Sequence, residues 1–183
     1  MHRQELLQRL SYYKTPFMEE AAMVNRTQEF VIQNINCFDR TLEKGHVTGS
    51  AWVVNPARSH VLLLHHRKLG LWLQPGGHAD GDSDILRVVL KETSEESGID
   101  IENVRLLSDE VFDVDVHTVF ESQYDPRHVH FDIRFLVEID DSQPIPGNNE
   151  SHEIGWAALD DVAHFNNALS LRRLVTKTRR HLK

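Results

Sequence analysis

Apolar side chains recur with a helical period over residues 1–43 of the chain. Thr15-Pro16 is typical of a helix start, because a hydroxyl can cap the first turn and proline is tolerated at its first position. Glu19 and Glu20 follow, where the positive end of a helix favours acidic groups. The pattern therefore predicts a helical N-terminal extension.

From Gly45 onwards, the spacing of apolar positions changes to the alternation that is typical of strands. Two β-rich runs separated by the turn Pro56-Ala57-Arg58-Ser59 predict a hairpin. A short strand beginning at Trp72 runs into the turn Pro75-Gly76-Gly77. The predicted strands are, in chain order, residues 46–55, 60–66, 72–78, 102–118, 129–140 and 153–156.

A helical period returns over residues 84–97, between the predicted strands. Asp82 or Ser83 is the expected N-terminal cap, and Gly98 is the expected stop. Two more helices, near residues 158–166 and 169–181, complete the pattern.

Strands with a helix inserted among them and helices at both ends are typical of an α/β sandwich. We expect such a fold, with a mixed sheet, over residues 44–183. The helical extension over residues 1–43 would precede it. Its apolar stripes permit either a cover over the site or a homodimer interface.

Composition narrows the class of protein. Of the 183 residues, 40% are hydrophobic and 26% are charged, which is typical of a globular chain and not of a disordered one. No apolar run is long enough to span a membrane, and the N-terminus lacks the apolar core of a secretory signal. The lone Cys37 has no intrachain disulfide partner. These features predict a cytoplasmic protein.

The net charge of −8 argues against binding to a nucleic-acid backbone, which needs clustered cations. Six basic residues lie in the last sixteen positions, so the rest of the chain is more acidic still. An anionic ligand would therefore need a bound metal cation to neutralise it.

Three carboxylates share one face near the end of the predicted helix over residues 84–97. Glu92, Glu95 and Glu96 have the spacing i, i+3, i+4, at which like charges repel by a few tenths of a kcal/mol per pair. The negative end of the helix dipole also disfavours them. A divalent cation would reverse both costs, whereas the alternative is a solvated acidic surface. The glycine turn ahead of the helix favours the cation, because it can aim carbonyl oxygens at a metal.

The segment from Gly77 to Ile99 resembles the Nudix box. That box is Gly, five residues, Glu, seven residues, Arg-Glu, an aliphatic residue, any residue, Glu-Glu, any residue, Gly and an aliphatic residue. Three positions depart from it: Ser83 stands at the first Glu, Lys91 at the Arg and, as a milder change, Thr93 at the aliphatic residue after Glu92. The matching positions are Gly77, Glu92, Glu95, Glu96, Gly98 and Ile99.

The resemblance implies hydrolysis of a diphosphate bond in a nucleoside diphosphate linked to another group. It implies that Glu92 and Glu96, with the Gly76 carbonyl, hold Mg²⁺ or Mn²⁺. Glu95 would join a second metal ion or orient the attacking water. The general base is predicted to be Glu150, which lies six residues before Trp156 in a region similar to the family's downstream motif. Glu153 is the second candidate for the base.

Substrate contacts are predicted at three further residues. His78 follows the glycine turn and suits either a phosphate contact or a hydrogen bond that stabilises the loop. Tyr124 and Arg127 lie in the loop between the two long strands, where an aromatic ring and a guanidinium can bind base and phosphate. The alternative is an ordinary hairpin loop.

His128 and His130 lie on the same face of a predicted strand and form a candidate metal pair. The spacing reveals no third ligand, which favours two ordinary strand residues.

Two alternative functions are considered, one because the segment departs from the Nudix box at some positions and one because the same fold includes isomerases. Ser83 and Lys91 motivate a Nudix-fold module that binds its ligand without turnover. The three retained glutamates argue against it, since a binding module has no need of three crowded carboxylates. The isomerase branch of the fold would need a cysteine in the sheet, and the single cysteine is in the extension.

Overall fold

The computed structural model describes residues 2–121, 126–149 and 151–181. The elements, in chain order, are α1 (Gln4–Tyr12), α2 (Met18–Gln33), β1 (His46–Val54), β2 (His60–His66), β3 (Trp72–Leu73), β4 (Gly76–His78), α3 (Ile85–Ser97), a 3₁₀ turn (Ile101–Asn103), β5 (Arg105–Leu106), β6 (Asp113–Val119), β7 (His128–Glu138), β8 (Ser151–Ala158), α4 (Val162–Phe165) and α5 (Leu169–His181). A mixed sheet with helices is thus confirmed, as is the helical N-terminal region.

The described residues fall into two compact units. The first unit contains Met1–Ser50, Gly77–Val89 and Asp109–Phe135. The second contains Ala51–Gly76, Leu90–Ser108 and Leu136–Lys183. The predicted division into an extension and a domain at residues 43 and 44 stays a prediction.

In the first unit, β6 and β7 pair in antiparallel register, with His117 opposite His130. The helix α2 packs against β6, and Phe30 stacks on Phe131 with ring centroids 3.9 Å apart. Buried Glu20 supports this contact, because its carboxylate accepts hydrogen bonds from the Tyr13 hydroxyl and from Val114 N–H. The predicted extension therefore shares its core with these two strands.

In the second unit, β2 pairs with the end of β1, with β3 and with β8, and β5 pairs with the end of β7. The predicted hairpin is confirmed, with Val54 opposite Val61 in antiparallel register. The helix α5 contacts β1 through a hydrogen bond of 2.7 Å from Trp52 Nε1 to Thr178 Oγ1. In the described ranges no helix is long and apolar enough to cross a membrane.

Two local predictions were wrong. The region predicted as one strand over residues 102–118 begins with a 3₁₀ turn, in which Asp100 accepts a hydrogen bond from Glu102 N–H, and continues as two separate strands, β5 and β6. The residues between β5 and β6 then leave the ladder. The helix predicted over residues 158–166 is one turn, Val162–Phe165. The first error arises because side-chain alternation does not reveal where backbone pairing stops. The second arises because Ala158 still belongs to β8 and Asn166 has an extended backbone that ends the helix.

Cys37 is fully buried, and burial raises the pKa of its thiol to about 11. A shift of this size lowers the thiolate fraction at pH 8 by about 100-fold relative to an exposed thiol. We expect no labelling of the native protein by a thiol reagent at pH 8 on the timescale that labels free cysteine. Denatured protein should take up one label, and comparable labelling of the native state would contradict the burial.

Candidate functional site

The glycine turn is joined to the end of α3 by one hydrogen bond within the second unit. Gly76 N–H donates to Glu96 Oε2 at 2.7 Å, and Glu96 is only 5% exposed. Burial of a carboxylate is costly unless it is hydrogen-bonded or paired. The structure thus brings together two residues that the sequence analysis assigned to one metal site.

Glu92 and Glu95 contact the lysine that stands at the arginine position of the box. Lys91 Nζ lies 3.2 Å from Glu92 Oε1 and 3.1 Å from Glu95 Oε2. The hydrogen bond to Glu95, followed by that to Glu92, raises the pKa of Lys91 above its ordinary value. The repulsion between the glutamates is therefore relieved in part by an ammonium group of the same helix.

The start and end of α3 position these carboxylates. Asp84 Oδ1 accepts a hydrogen bond from Arg87 N–H, so Asp84 is the cap and the prediction of Asp82 or Ser83 was wrong. Asp82 instead binds the Arg87 guanidinium, which lowers the pKa of the Asp82 carboxyl. The predicted stop is confirmed, since the chain leaves the helix at Gly98 with a φ of +71°.

A second set of ligand-type side chains lies in the first unit. One nitrogen from each of four imidazoles lies within 4.8 Å of the nitrogens of the others. The four residues are His46, His78, His128 and His130. We call these four residues the histidine cluster.

Gly45 explains how His46 reaches β7. Its φ is +136°, and a Cβ at this position would lie 2.2 Å from the Val129 carbonyl oxygen. Only glycine allows so close an approach of two backbones. The neighbouring His46 is thereby placed beside His128 and His130, which flank Val129 on β7.

Burial lowers the pKa of two rings of the histidine cluster, those of His46 and His130. It lowers the pKa of His46 to about 4, with further lowering from His78 and His128. It lowers the pKa of His130 to about 2, with His117 as the next cause. Both rings are therefore neutral at pH 7, which is the form that binds metals.

The other predicted residues are placed as follows. Arg127 is exposed just before β7, and Glu153 is exposed on β8 opposite His65. Tyr124 and Glu150 lie outside the described residues. Trp72 stacks on His65 with ring centroids 5.3 Å apart.

His46 was not predicted as a partner of His128 and His130. The signal that could have found it is the Gly45-His46 pair at the start of β1, because glycine there permits a close backbone approach. Sequence spacing alone could not join residues so far apart in the chain.

The model of the NUDIX domain matches residues 45–177, which is more than half of the chain. The chain belongs to the Nudix family. This confirms the resemblance found in the segment from Gly77 to Ile99, and it makes the protein a Nudix hydrolase, an enzyme that acts on acid anhydrides.

Solved Nudix structures share the fold. A complex of an Ap4A hydrolase from C. elegans has 19% identity and a TM-score of 0.57, over 74% of this chain and 96% of that one. The E. coli dihydroneopterin triphosphate pyrophosphohydrolase has 15% identity and a TM-score of 0.56, over 72% and 92%. A NUDIX family hydrolase from Clostridium perfringens has 22% identity and a TM-score of 0.55, over 78% and 100%. No curated protein sequence matches the chain.

Proposed function

We propose that this Nudix hydrolase cleaves a diphosphate bond in a nucleoside diphosphate linked to another group, with Mg²⁺ or Mn²⁺ as cofactor. The hydrogen bond from Gly76 to Glu96 carries the proposal, because it holds a buried carboxylate of the box against the glycine turn. The family membership supports a small-molecule partner derived from a nucleotide.

The donor set fits the proposed cofactor. Nudix enzymes generally use divalent metals. Carboxylate and carbonyl oxygens are the ligands that Mg²⁺ and Mn²⁺ prefer. We assign Glu92, Glu95, Glu96 and the Gly76 carbonyl as the ligands.

The proposed reaction needs an aligned water and neutralised phosphate charge. When bound, the metal ion supplies charge neutralisation and makes its water more acidic. Glu95 orients the attacking water, and Glu150 accepts its proton. His78, Tyr124 and Arg127 bind the substrate in this proposal, with the guanidinium suited to phosphate and the aromatic ring suited to the base.

A panel of nucleoside diphosphate derivatives tests the substrate class. The panel should include dinucleoside polyphosphates, nucleoside diphosphate sugars and nucleoside triphosphates, each with Mg²⁺, with Mn²⁺ and with a chelator. We expect hydrolysis of at least one member that stops when the metal ion is chelated. Absence of hydrolysis across the panel would contradict the proposed substrate class.

The general base can be tested with two glutamates three residues apart. Replacing Glu150 with Gln should lower kcat about 100-fold, since general base catalysis contributes a factor of this order. The matched control is Glu153→Gln, which should retain most of the activity. The reverse result would move the role of the base to Glu153, the second candidate.

A module that binds without turnover is the alternative function. The contact of Lys91 with both Glu92 and Glu95 favours it, because an ammonium group there competes with a metal ion for the same oxygens. Tight binding of one panel member together with no hydrolysis of any member would support this alternative.

The homodimer and the cytoplasmic location both stay predictions. Exposed apolar side chains in the N-terminal helical region support a dimer interface, and light scattering of the purified chain tests it. These side chains are Tyr12, Met18, Ile32 and Ile35.

A further inference from the structure

We propose that the histidine cluster binds one transition-metal ion of the Zn²⁺ class, at a site built separately from the carboxylates of the Nudix box. His46, His78, His128 and His130 would supply one nitrogen each. The proposal does not depend on the carboxylates of the Nudix box, because none of them is a ligand here. It assigns His78, a predicted substrate contact, to the metal ion instead.

The buried ring of His46 is the first observation. This side chain is 2% exposed, and neither of its ring nitrogens has a hydrogen-bond partner within the described part of the chain. Burial of a polar atom without a partner is costly, and such an atom in a folded protein calls for an explanation. A metal ion among the four rings would bind one of these nitrogens and remove much of the cost.

The hydrogen bond of His128 aims its second nitrogen into the cluster. His128 Nδ1 lies 2.7 Å from the Pro126 carbonyl oxygen, which can only accept, so Nδ1 carries the proton. In the neutral ring, the lone pair is then on Nε2. A backbone carbonyl that fixes the ring in this way is a common feature behind metal-binding histidines.

His128 Nε2 and His130 Nε2 face each other at 2.9 Å. Two lone pairs repel at this distance unless a proton or a cation lies between them. A proton would remove the repulsion between these two nitrogens only. A metal ion would do the same and would also bind the buried nitrogen of His46 that has no hydrogen-bond partner within the described residues. The ion therefore accounts for more of the arrangement than a hydrogen bond does.

The ring centroids are spaced as tetrahedral coordination requires, whereas His128 Nε2 and His130 Nε2, now 2.9 Å apart, would have to separate to about 3.3 Å on binding the ion. Metal–nitrogen bonds of about 2.0–2.1 Å would place ring centroids about 5 Å apart around a tetrahedral ion. Square-planar coordination would instead hold two pairs of rings opposite each other, at about 6 Å. Five of the six pairs are 4.8–5.1 Å apart, namely His46–His78, His46–His128, His46–His130, His78–His130 and His128–His130.

The donor chemistry selects the class of ion. Imidazole nitrogen suits Zn²⁺ and its transition-metal neighbours, whereas Mg²⁺ and Ca²⁺ prefer oxygen. Four protein ligands around a tetrahedral ion form a closed site, which is typical of a structural role. His78, His128 and His130 are only partly buried, which leaves the ion a path of entry. We infer that the ion would join β1, β4 and β7 at this point.

Metal binding by the full-length chain, without an affinity tag, tests the proposal. Protein stripped with a chelator is returned to buffer with excess Mg²⁺, and Zn²⁺ is then titrated by calorimetry. We expect one equivalent of Zn²⁺ per chain and a rise in Tm. Co²⁺ should give the intense visible absorption of a tetrahedral site, a test that needs no substitution. Absence of both Zn²⁺ uptake and this spectrum would overturn the proposal.

Variants locate the ion. The double variant His128→Ala, His130→Ala should bind Zn²⁺ at least about 100-fold more weakly. Loss of a residue that only hydrogen-bonds to a metal ligand already lowers metal affinity about 10- to 100-fold, and this variant removes two of the ligands themselves. The matched control, His152→Ala with His164→Ala, removes two exposed histidines and should bind like the unmodified chain. If circular dichroism shows that the first double variant is unfolded, the same binding measurement is made on His78→Ala, a single substitution at the glycine turn. Unchanged uptake in a folded cluster variant would overturn the assignment.

The Nudix-box variant Glu96→Gln separates this site from the proposed catalytic one. It should take up Zn²⁺ normally and keep the Co²⁺ spectrum. Loss of both in Glu96→Gln, with retention in the cluster variants, would place the ion in the box and overturn the proposal. Failure of the proposed hydrolysis would leave these metal measurements unaffected.

Discussion

Replacing Glu96 with Gln is expected to lower metal-dependent turnover at least about 1,000-fold, because loss of about 4 kcal/mol of transition-state stabilisation is within what a catalytic metal ion contributes. Gln has nearly the same size, and its amide oxygen can still accept the hydrogen bond from Gly76 N–H. The fold should therefore persist while the buried negative charge is lost. The measurement is kcat/KM on the best substrate of the panel, with the Mg²⁺ concentration varied.

The matched control for this prediction is Glu102→Gln. Glu102 is an exposed glutamate of the 3₁₀ turn and lies outside the box. Its replacement changes the net charge by the same amount and should leave kcat/KM near that of the unmodified chain. Wild-type turnover in a folded Glu96→Gln protein would remove Glu96 from the proposed site.

Replacing Arg134 with Met should destabilise the protein by about 3–5 kcal/mol, the usual effect of breaking a buried ion pair from one side. The guanidinium of Arg134 is almost fully buried and contacts three carboxylates, those of Asp113, Asp115 and Asp132, at 2.8–3.3 Å. Burial lowers the pKa of Arg134, but the three carboxylates more than offset this and hold it above its ordinary value. Met would leave the carboxylates without their shared cation.

Urea denaturation with and without the substitution measures this loss. The control is Arg105→Met, the same change at an exposed arginine that pairs with Glu138 at 3.0 Å. An exposed pair contributes about 0–1 kcal/mol, so the control should unfold close to the unmodified chain. Adding Asp132→Asn to Arg134→Met should recover part of the stability, because one uncompensated charge is removed. Equal effects of the two arginine substitutions would contradict the analysis.

The helix α3, which carries the three glutamates of the box, was largely predictable from the sequence. A helix has a fixed period, so the apolar face of α3 and the shared face of Glu92, Glu95 and Glu96 follow from spacing alone. The stop at Gly98 follows from local backbone chemistry. The cap was assigned one or two residues early, because Asp82, Ser83 and Asp84 all have suitable side chains and only the hydrogen bond to Arg87 N–H distinguishes them.

Contacts between distant segments were not predictable in the same way. The ammonium of Lys91 lies on the same helix as its partners, so its contact with Glu95 was within reach of helical spacing. The hydrogen bond from Gly76 to Glu96 joins two elements, and it depends on how the turn packs against the helix. The resemblance to the Nudix box pointed to this contact where residue spacing could not.

Residues that lie close together in the chain are sufficient to predict the family of this protein, the helix that carries the three glutamates and the hairpin that begins the sheet. The approach of His46 and His78 to His128 and His130 becomes visible only in the folded protein. This contact requires Gly45, whose backbone lies close to β7, and the packing that brings β1, β4 and β7 together. Local periodicity determines which face of an element a side chain occupies, whereas packing between elements determines what that face meets.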